Sequence, residues 1–231
     1  MSTREPNQLQ ATGGRRVPVL VLPLGGAFST DVEDAVYRAI PVNNGDIRLR
    51  SQGRLMGMPL VGTGFITTAD ARRIRRRIED QLRPYDRSSP DRALLLVGKS
   101  AGGISLWNTL RLHYREIAGW VQRCALVLID PHGAAFRDGE SGTYAAGQNL
   151  TWPPNWDTDT SRFRVYNIFQ QRFPGLGGHM TGASFPRAFM NVQLTDTRSR
   201  RQGGLDHMNI TQHPKVHNII AAAYNFARTG M

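Results

Sequence analysis

The 231-residue chain has one cysteine, only two lysines among its 29 basic residues, and no long apolar run. A single cysteine excludes an internal disulfide, so packing alone must hold the fold, and a chain of this length can bury most of its apolar surface unaided. Cys124 lies inside the apolar run CALVLI and reads as a small core residue rather than a nucleophile. No stretch approaches the roughly 20 apolar residues that span a bilayer. The opening MSTREPNQLQATGGRR lacks the apolar segment of a secretory signal. A soluble protein, cytoplasmic as synthesised, is expected, with export by another route left open.

With lysine confined to Lys99 and Lys215, arginine carries the charge, which sums to +11. Such a surface suits anionic lipid, acidic polymers or nucleic acid. Most arginines are scattered, however, and the dense run ARRIRRRIED places Ala71, Ile74, Ile78 and Leu82 on one helical stripe. That pattern assigns Arg72, Arg73, Arg75, Arg76 and Arg77 mostly to a solvated face. No basic motif interleaved with aromatics is present, so no specific nucleic-acid partner is implied. With 40% hydrophobic and 20% charged residues, the composition is that of a globular domain.

Apolar runs and helical periodicities alternate along the chain. After a polar tail over 1–16, VPVLVLPL (17–24) has the continuous apolarity of a buried parallel strand. DVEDAVYRAI reads as a helix capped by Thr30 or Asp31, and NNGDIRLRS as a turn and a short strand. The arginine helix spans about 69–83, RALLLVG is a second strong strand, and Gly102 to Ile117 a helix. CALVLID is the third strand, FRVYNIF and RAFMNVQL are two more, and 213–228 closes the chain as a helix with Pro214 in its first turn. This alternation predicts one α/β domain with a mostly parallel sheet covered on both faces.

The segment LLLVGKSAGGISLW (94–107) admits two readings. GKS resembles the end of a phosphate-binding loop, which needs G-x-x-x-x-G-K-[ST]. Here Ala93 stands at the first glycine, and the four residues that would form the arch are Leu94–Val97, among the most strand-like in the chain. GKSAG also fits G-x-S-x-G, a strand, a strained turn and a helix that present a serine at the apex. Gly98 and Gly102 flank Ser100, and Ala101 and Gly103 keep the next turn slim. The N–H of Ala101 would then face an oxyanion, helped by the positive end of the helix.

With GKSAGG supported by LPLGGAF, VLIDPHG and GLDHMNI, the chain resembles the α/β-hydrolase superfamily of lipases, esterases and cutinase-like enzymes. The resemblance implies a single α/β-hydrolase domain over 17–231, with residues 131–160 as a lid or pocket rim. It implies the chain order serine, acid, histidine. His207 occupies the loop between the last strand and the closing helix, where the family's histidine lies. The commonest acid position, after FRVYNIFQQ, holds no carboxylate. Asp130, at the end of the preceding strand, is therefore the expected acid, with Asp157, Asp159, Asp196 and Asp206 as rivals. The second oxyanion donor would come from LGGAF, through an N–H of Gly26, Ala27 or Phe28.

Together these imply a serine esterase with catalytic Ser100, Asp130 and His207, needing neither metal nor cofactor. Phe28, Trp152 and Trp156 would line an acyl site, joined by Tyr144 and Leu150. Lys99, beside the nucleophile, would place positive charge at the mouth, suiting a lipid or other anionic-headed ester, and Arg198, Arg200 and Arg201 approach the same rim. The implied partner is a small-molecule or lipid ester, with an anionic lipid or polymer surface as the class that the basic charge would favour. Thioesterase, acyltransferase and polymer or cell-envelope esterase chemistry share the fold. The non-enzymatic alternatives are a nucleotide-binding or a basic nucleic-acid-binding α/β module.

Overall fold

Three uninterrupted apolar runs become the centre of a parallel sheet. They are β1 (Val19–Leu24), β3 (Ala93–Lys99) and β4 (Arg123–Ile129), and every residue but Arg123 is buried. The computed structural model describes residues 16–25, 31–41, 45–49, 68–82, 91–131, 160–170, 189–195 and 204–231. The sheet has six strands in the order β2-β1-β3-β4-β5-β6, all parallel, with β2 at Ile47–Arg48, β5 at Phe163–Gln170 and β6 at Phe189–Leu194. The tail expected over 1–16 lies outside the described residues except Arg16, and the rim segment 131–160 does so except for Pro131 and Thr160.

Strand alternation sorts the core into two layers. Val19, Val21, Leu95, Val97, Val127, Ile129 and Ile168 pack with α1 (Asp31–Ala39) and α4 (Pro214–Thr229). Leu20, Leu22, Leu94, Leu96, Leu126, Leu128 and Phe163 pack with α2 (Thr68–Leu82) and α3 (Ala101–Ala118). Each fully buried Leu, Val or Phe side chain contributes about 1.5–3 kcal/mol. Boundaries follow local chemistry: α4 begins with Pro214 after His213, whose Nδ1 accepts from the Lys215 N–H at 3.1 Å. It ends at Gly230, with φ 82°, which closes on the Phe226 carbonyl at 2.7 Å.

The arginine helix turns Ala71, Ile74, Ile78 and Leu82 inward and leaves Arg72, Arg73 and Arg76 exposed, as the period predicts. Arg75 departs from that pattern. It reaches across to α3, with Nε 2.5 Å from Glu116 Oε2 and its guanidinium over the Trp120 ring. Among the described residues, no helix is long and apolar enough to cross a membrane.

The strand order fixes where a ligand crevice belongs. The chain leaves β1 toward β2, then crosses back to place β3 on the other side of β1. At such a switch point the connections diverge and open a crevice beyond the carboxyl ends of the two strands. Leu24 pairs with Gly98 at that end, one step before Gly25 and Lys99.

Candidate active site

The strand β3 runs two residues further than the apolar run, through Gly98 and Lys99, and α3 begins at Ala101. Ser100 makes the whole turn, with φ 54° and ψ −130°. A positive φ on a residue with a side chain costs on the order of 1–3 kcal/mol and must be imposed by its surroundings. The Ser100 N–H donates to the Ile129 carbonyl at 3.0 Å, and its own carbonyl accepts from Gly103 N–H at 3.0 Å. The flanking glycines leave the necessary room. A Cβ on Gly98 would lie 2.5 Å from the Gly103 Cα, and one on Gly102 would lie 2.2 Å from the Leu24 carbonyl oxygen. Ala101 opens the helix, where N–H groups lack intrahelical acceptors.

On the neighbouring strand, Asp130 follows β4 directly and also has a positive φ, 44°. Its carboxylate is fully buried, and Oδ2 lies 2.6 Å from His207 Nδ1, although 77 residues separate the two in sequence. With Oδ2 as the acceptor, the tautomer that satisfies this contact carries its proton on Nδ1 and leaves Nε2 as the unprotonated ring nitrogen. Gln170, at the end of β5, supplies two more donors: its Nε2 lies 3.2 Å from Oδ2, and its backbone N–H 3.4 Å from Oδ1.

His207 sits on a braced turn after β6. Asp206 Oδ1 accepts from the N–H groups of Met208 at 2.9 Å and Asn209 at 3.0 Å. Asn209 Oδ1 in turn accepts from the Asp206 N–H at 2.8 Å, and its Nδ2 donates to Gly204 O at 3.1 Å. Leu205 and Ile210, on either side, are anchored in the core. Asp206, a rival for the acid, thus turns its carboxylate to the backbone of the turn. His213 caps α4, and His217 Nε2 pairs with the Thr211 carbonyl at 2.8 Å. The Cys124 thiol is buried in the sheet, and burial pushes its pKa up, which suppresses the reactive thiolate.

One expectation is overturned. Lys99 does not place charge at the mouth: it is 1% exposed, and its Nζ lies 2.5 Å from Asp31 Oδ2 and 3.1 Å from the Met208 carbonyl. Strand alternation explains this, because Lys99 follows Ala93, Leu95 and Val97 onto the α1 and α4 face. The phosphate-loop reading weakens on the same ground. Leu94–Val97 are paired in the sheet on both sides and form no arch, and the lysine is held by a carboxylate.

A parallel sheet with a switch point between β1 and β3, a serine on a positive-φ turn between β3 and α3, and an Asp–His pair at the next strand end decide the architecture. The chain has an α/β-hydrolase fold. No protein-family model and no curated protein matches its sequence. Among solved structures it is similar to the RedJ thioesterase from the prodiginine biosynthetic pathway of Streptomyces coelicolor, at 12% identity over 94% of this chain and 95% of that one, TM-score 0.46. It is also similar to the lin2722 gene product of Listeria innocua, at 11% identity over 92% and 93%, TM-score 0.49. A third is a cutinase-like protein from Cryptococcus sp., at 15% identity over 95% and 100%, TM-score 0.45.

Within this α/β-hydrolase fold, Ser100, Ala101, Asp130 and His207 stand at the carboxyl ends of the central strands or in the loop beside them. Gly26, Ala27, Phe28, Trp152 and Trp156 lie outside the described residues, as do Tyr144, Leu150, Asp157, Asp159, Asp196 and Arg198, Arg200 and Arg201. Gln170, Asn209 and Asp31 join the site only through the fold, by their bonds to Asp130, Asp206 and Lys99. Of these, Gln170 carries a signal in the sequence, since it stands at the strand end where the family's commonest acid position holds no carboxylate.

Proposed function

We propose that the chain is a serine hydrolase that cleaves carboxylic esters. The observation that carries this reading is the 2.6 Å contact between His207 Nδ1 and the buried Asp130 carboxylate, beside a serine on a positive-φ turn. Ser100 Oγ attacks the acyl carbon while His207 Nε2 takes the hydroxyl proton. The tetrahedral intermediate collapses, breaking the bond to the alkoxy oxygen, and Nε2 returns the proton to the departing alcohol. Water then repeats the sequence on the acyl-enzyme and releases the carboxylic acid. Asp130 holds the ring in the tautomer with Nδ1 protonated and stabilises the imidazolium. The N–H of Ala101 and one from Gly26–Ala27 donate to the oxyanion, and losing one such donor would cost about 10²–10³ in rate.

The acyl group is apolar, held by Phe28, Trp152 and Trp156, and lipid esters are the favoured substrate class. An anionic lipid or polymer surface would be met by the basic exterior of the chain, to which the exposed Arg72, Arg73 and Arg76 of α2 contribute. Hydrolysis of nitrophenyl esters graded in acyl length, beside thioester and amide counterparts, tests the reaction and the substrate class together. The reading expects ester turnover that Ser100→Ala and His207→Ala each reduce by about 10⁴ or more. Folded wild-type protein inactive on the whole panel, or a Ser100→Ala variant that keeps its turnover, overturns it.

A further inference from the structure

We propose that Lys99 is a positioning residue whose buried ammonium locks the His207 loop to the serine turn. The proposal rests on the hydrolase reading for what the locked geometry accomplishes. Lys99 immediately precedes Ser100, and Met208, whose carbonyl accepts from the lysine at 3.1 Å, immediately follows His207. The third partner, Asp31, stands at the first residue of α1, directly after the loop that is expected to supply an oxyanion donor. Its Oδ2 lies 2.5 Å from Lys99 Nζ and accepts from Thr211 Oγ1 at 2.5 Å, which ties the far side of the histidine turn to the same point.

A single charged group therefore joins three segments separated by 68 and 109 residues. The lysine side chain is 2% exposed, and its carboxylate partner 29%. Charge-assisted hydrogen bonds of this kind are short and directional, and in a site of low dielectric they are stronger than in water. The turn's own bonds shape residues 204–210 locally. Leu205 and Ile210 anchor that turn in the core, and the Asp130 bond to the ring and the Lys99 bond to the next carbonyl tie it to the ends of β4 and β3. Removing the lysine bond takes away the tie at Met208, next to His207, and lets the ring shift relative to the serine turn within its remaining anchors. A displacement of about 1 Å at a reacting group costs on the order of 10² in rate.

The test compares wild type with Lys99→Met and Asp31→Asn on a nitrophenyl ester, with kcat expressed per active site titrated by a fluorophosphonate. Positioning predicts kcat about 10²-fold lower in Lys99→Met and KM within about twofold, with the same split, smaller, in Asp31→Asn. Amide hydrogen exchange at Met208, Asn209 and Ile210 rises in both variants, a readout independent of turnover. A purely structural role lowers the titratable fraction and leaves kcat per titrated site unchanged. That result, or unchanged exchange in the loop, overturns the proposal while leaving the hydrolase reading intact. Should Lys99→Met fail to fold, Asp31→Asn, on a partly exposed side chain, decides the matter by the same two readouts. If wild type folds but takes no label, the hydrolase reading fails, and loop exchange alone then judges the lock.

Discussion

The two adjacent glycines that follow the serine turn should behave very differently when each receives a methyl group. At Gly102 a Cβ would stand 2.2 Å from the Leu24 carbonyl oxygen and 2.5 Å from that of Gly25. Carbon–oxygen contacts settle near 3.3–3.6 Å, so Gly102→Ala must open the gap between α3 and the end of β1 by about 1 Å. Both clashing atoms are backbone, and no rotamer change relieves them. Overpacking of this kind costs about 1–3 kcal/mol, more than the ~1 kcal/mol that alanine gains over glycine inside a helix. The same movement separates Ser100 from the loop after β1, and should slow acylation by about 10². At Gly103 the nearest atoms are the Gly98 oxygen at 3.1 Å and carbon at 3.4 Å, with the Pro131 Cβ at 3.4 Å. A shift of a few tenths of an ångström suffices there, and the helical gain offsets it. Gly103→Ala should stay within about 1 kcal/mol of wild type. Urea unfolding with m held common, together with the fluorophosphonate labelling rate, measures both effects. Equal losses in the two variants, or a Gly102→Ala protein as stable and reactive as wild type, would refute the close approach of β1 and α3 at the turn.

Gln170→Leu removes the Nε2 donor from Asp130, and turnover should fall between about tenfold and a hundredfold because a hydrogen bond to a charged group is lost; kcat per titrated site is the measurement. Asp206→Ala deprives two N–H groups of their acceptor, and should cost about 1 kcal/mol in thermal unfolding while loosening the histidine turn. Burial lowers the pKa of His113 from its ordinary 6.5, so the unfolded chain binds that proton first as pH falls. Stability should therefore decline below about pH 6.5. The decline should flatten in His113→Leu, followed by denaturant midpoints across pH 5–7. Glu116, held below its ordinary 4.5 chiefly by the Arg75 hydrogen bond, gives stability that persists above that pH and is lost on further acidification.

The sheet was legible because its central strands are buried on both faces and so read as unbroken apolar runs. Ser100 was legible as a candidate because the turn demands glycine at two fixed offsets, and Asp130 because the family resemblance implies an acid at a strand end between the serine and the histidine. Lys99 was misread at the next level. Its alternation with Ala93, Leu95 and Val97 already assigned it to the α1 and α4 face, but nothing local announced Asp31 or Met208 as partners. Arg75 stays partly exposed on its helix face, but its partner Glu116, 41 residues away, was likewise not legible locally. Periodicity fixes which way a side chain points; whom it meets depends on how separate elements dock. Gln170 shows the same limit, because its partner Asp130 belongs to the preceding strand.

The proposed hydrolase stands or falls on Ser100 acting as a nucleophile backed by His207 and Asp130. Mass spectrometry of the folded chain after reaction with a fluorophosphonate tests it most directly. One stoichiometric adduct is expected on the peptide bearing Ser100, lost in Ser100→Ala and slowed in Asp130→Asn. An adduct on another residue, or none on protein shown to be folded, would contradict it.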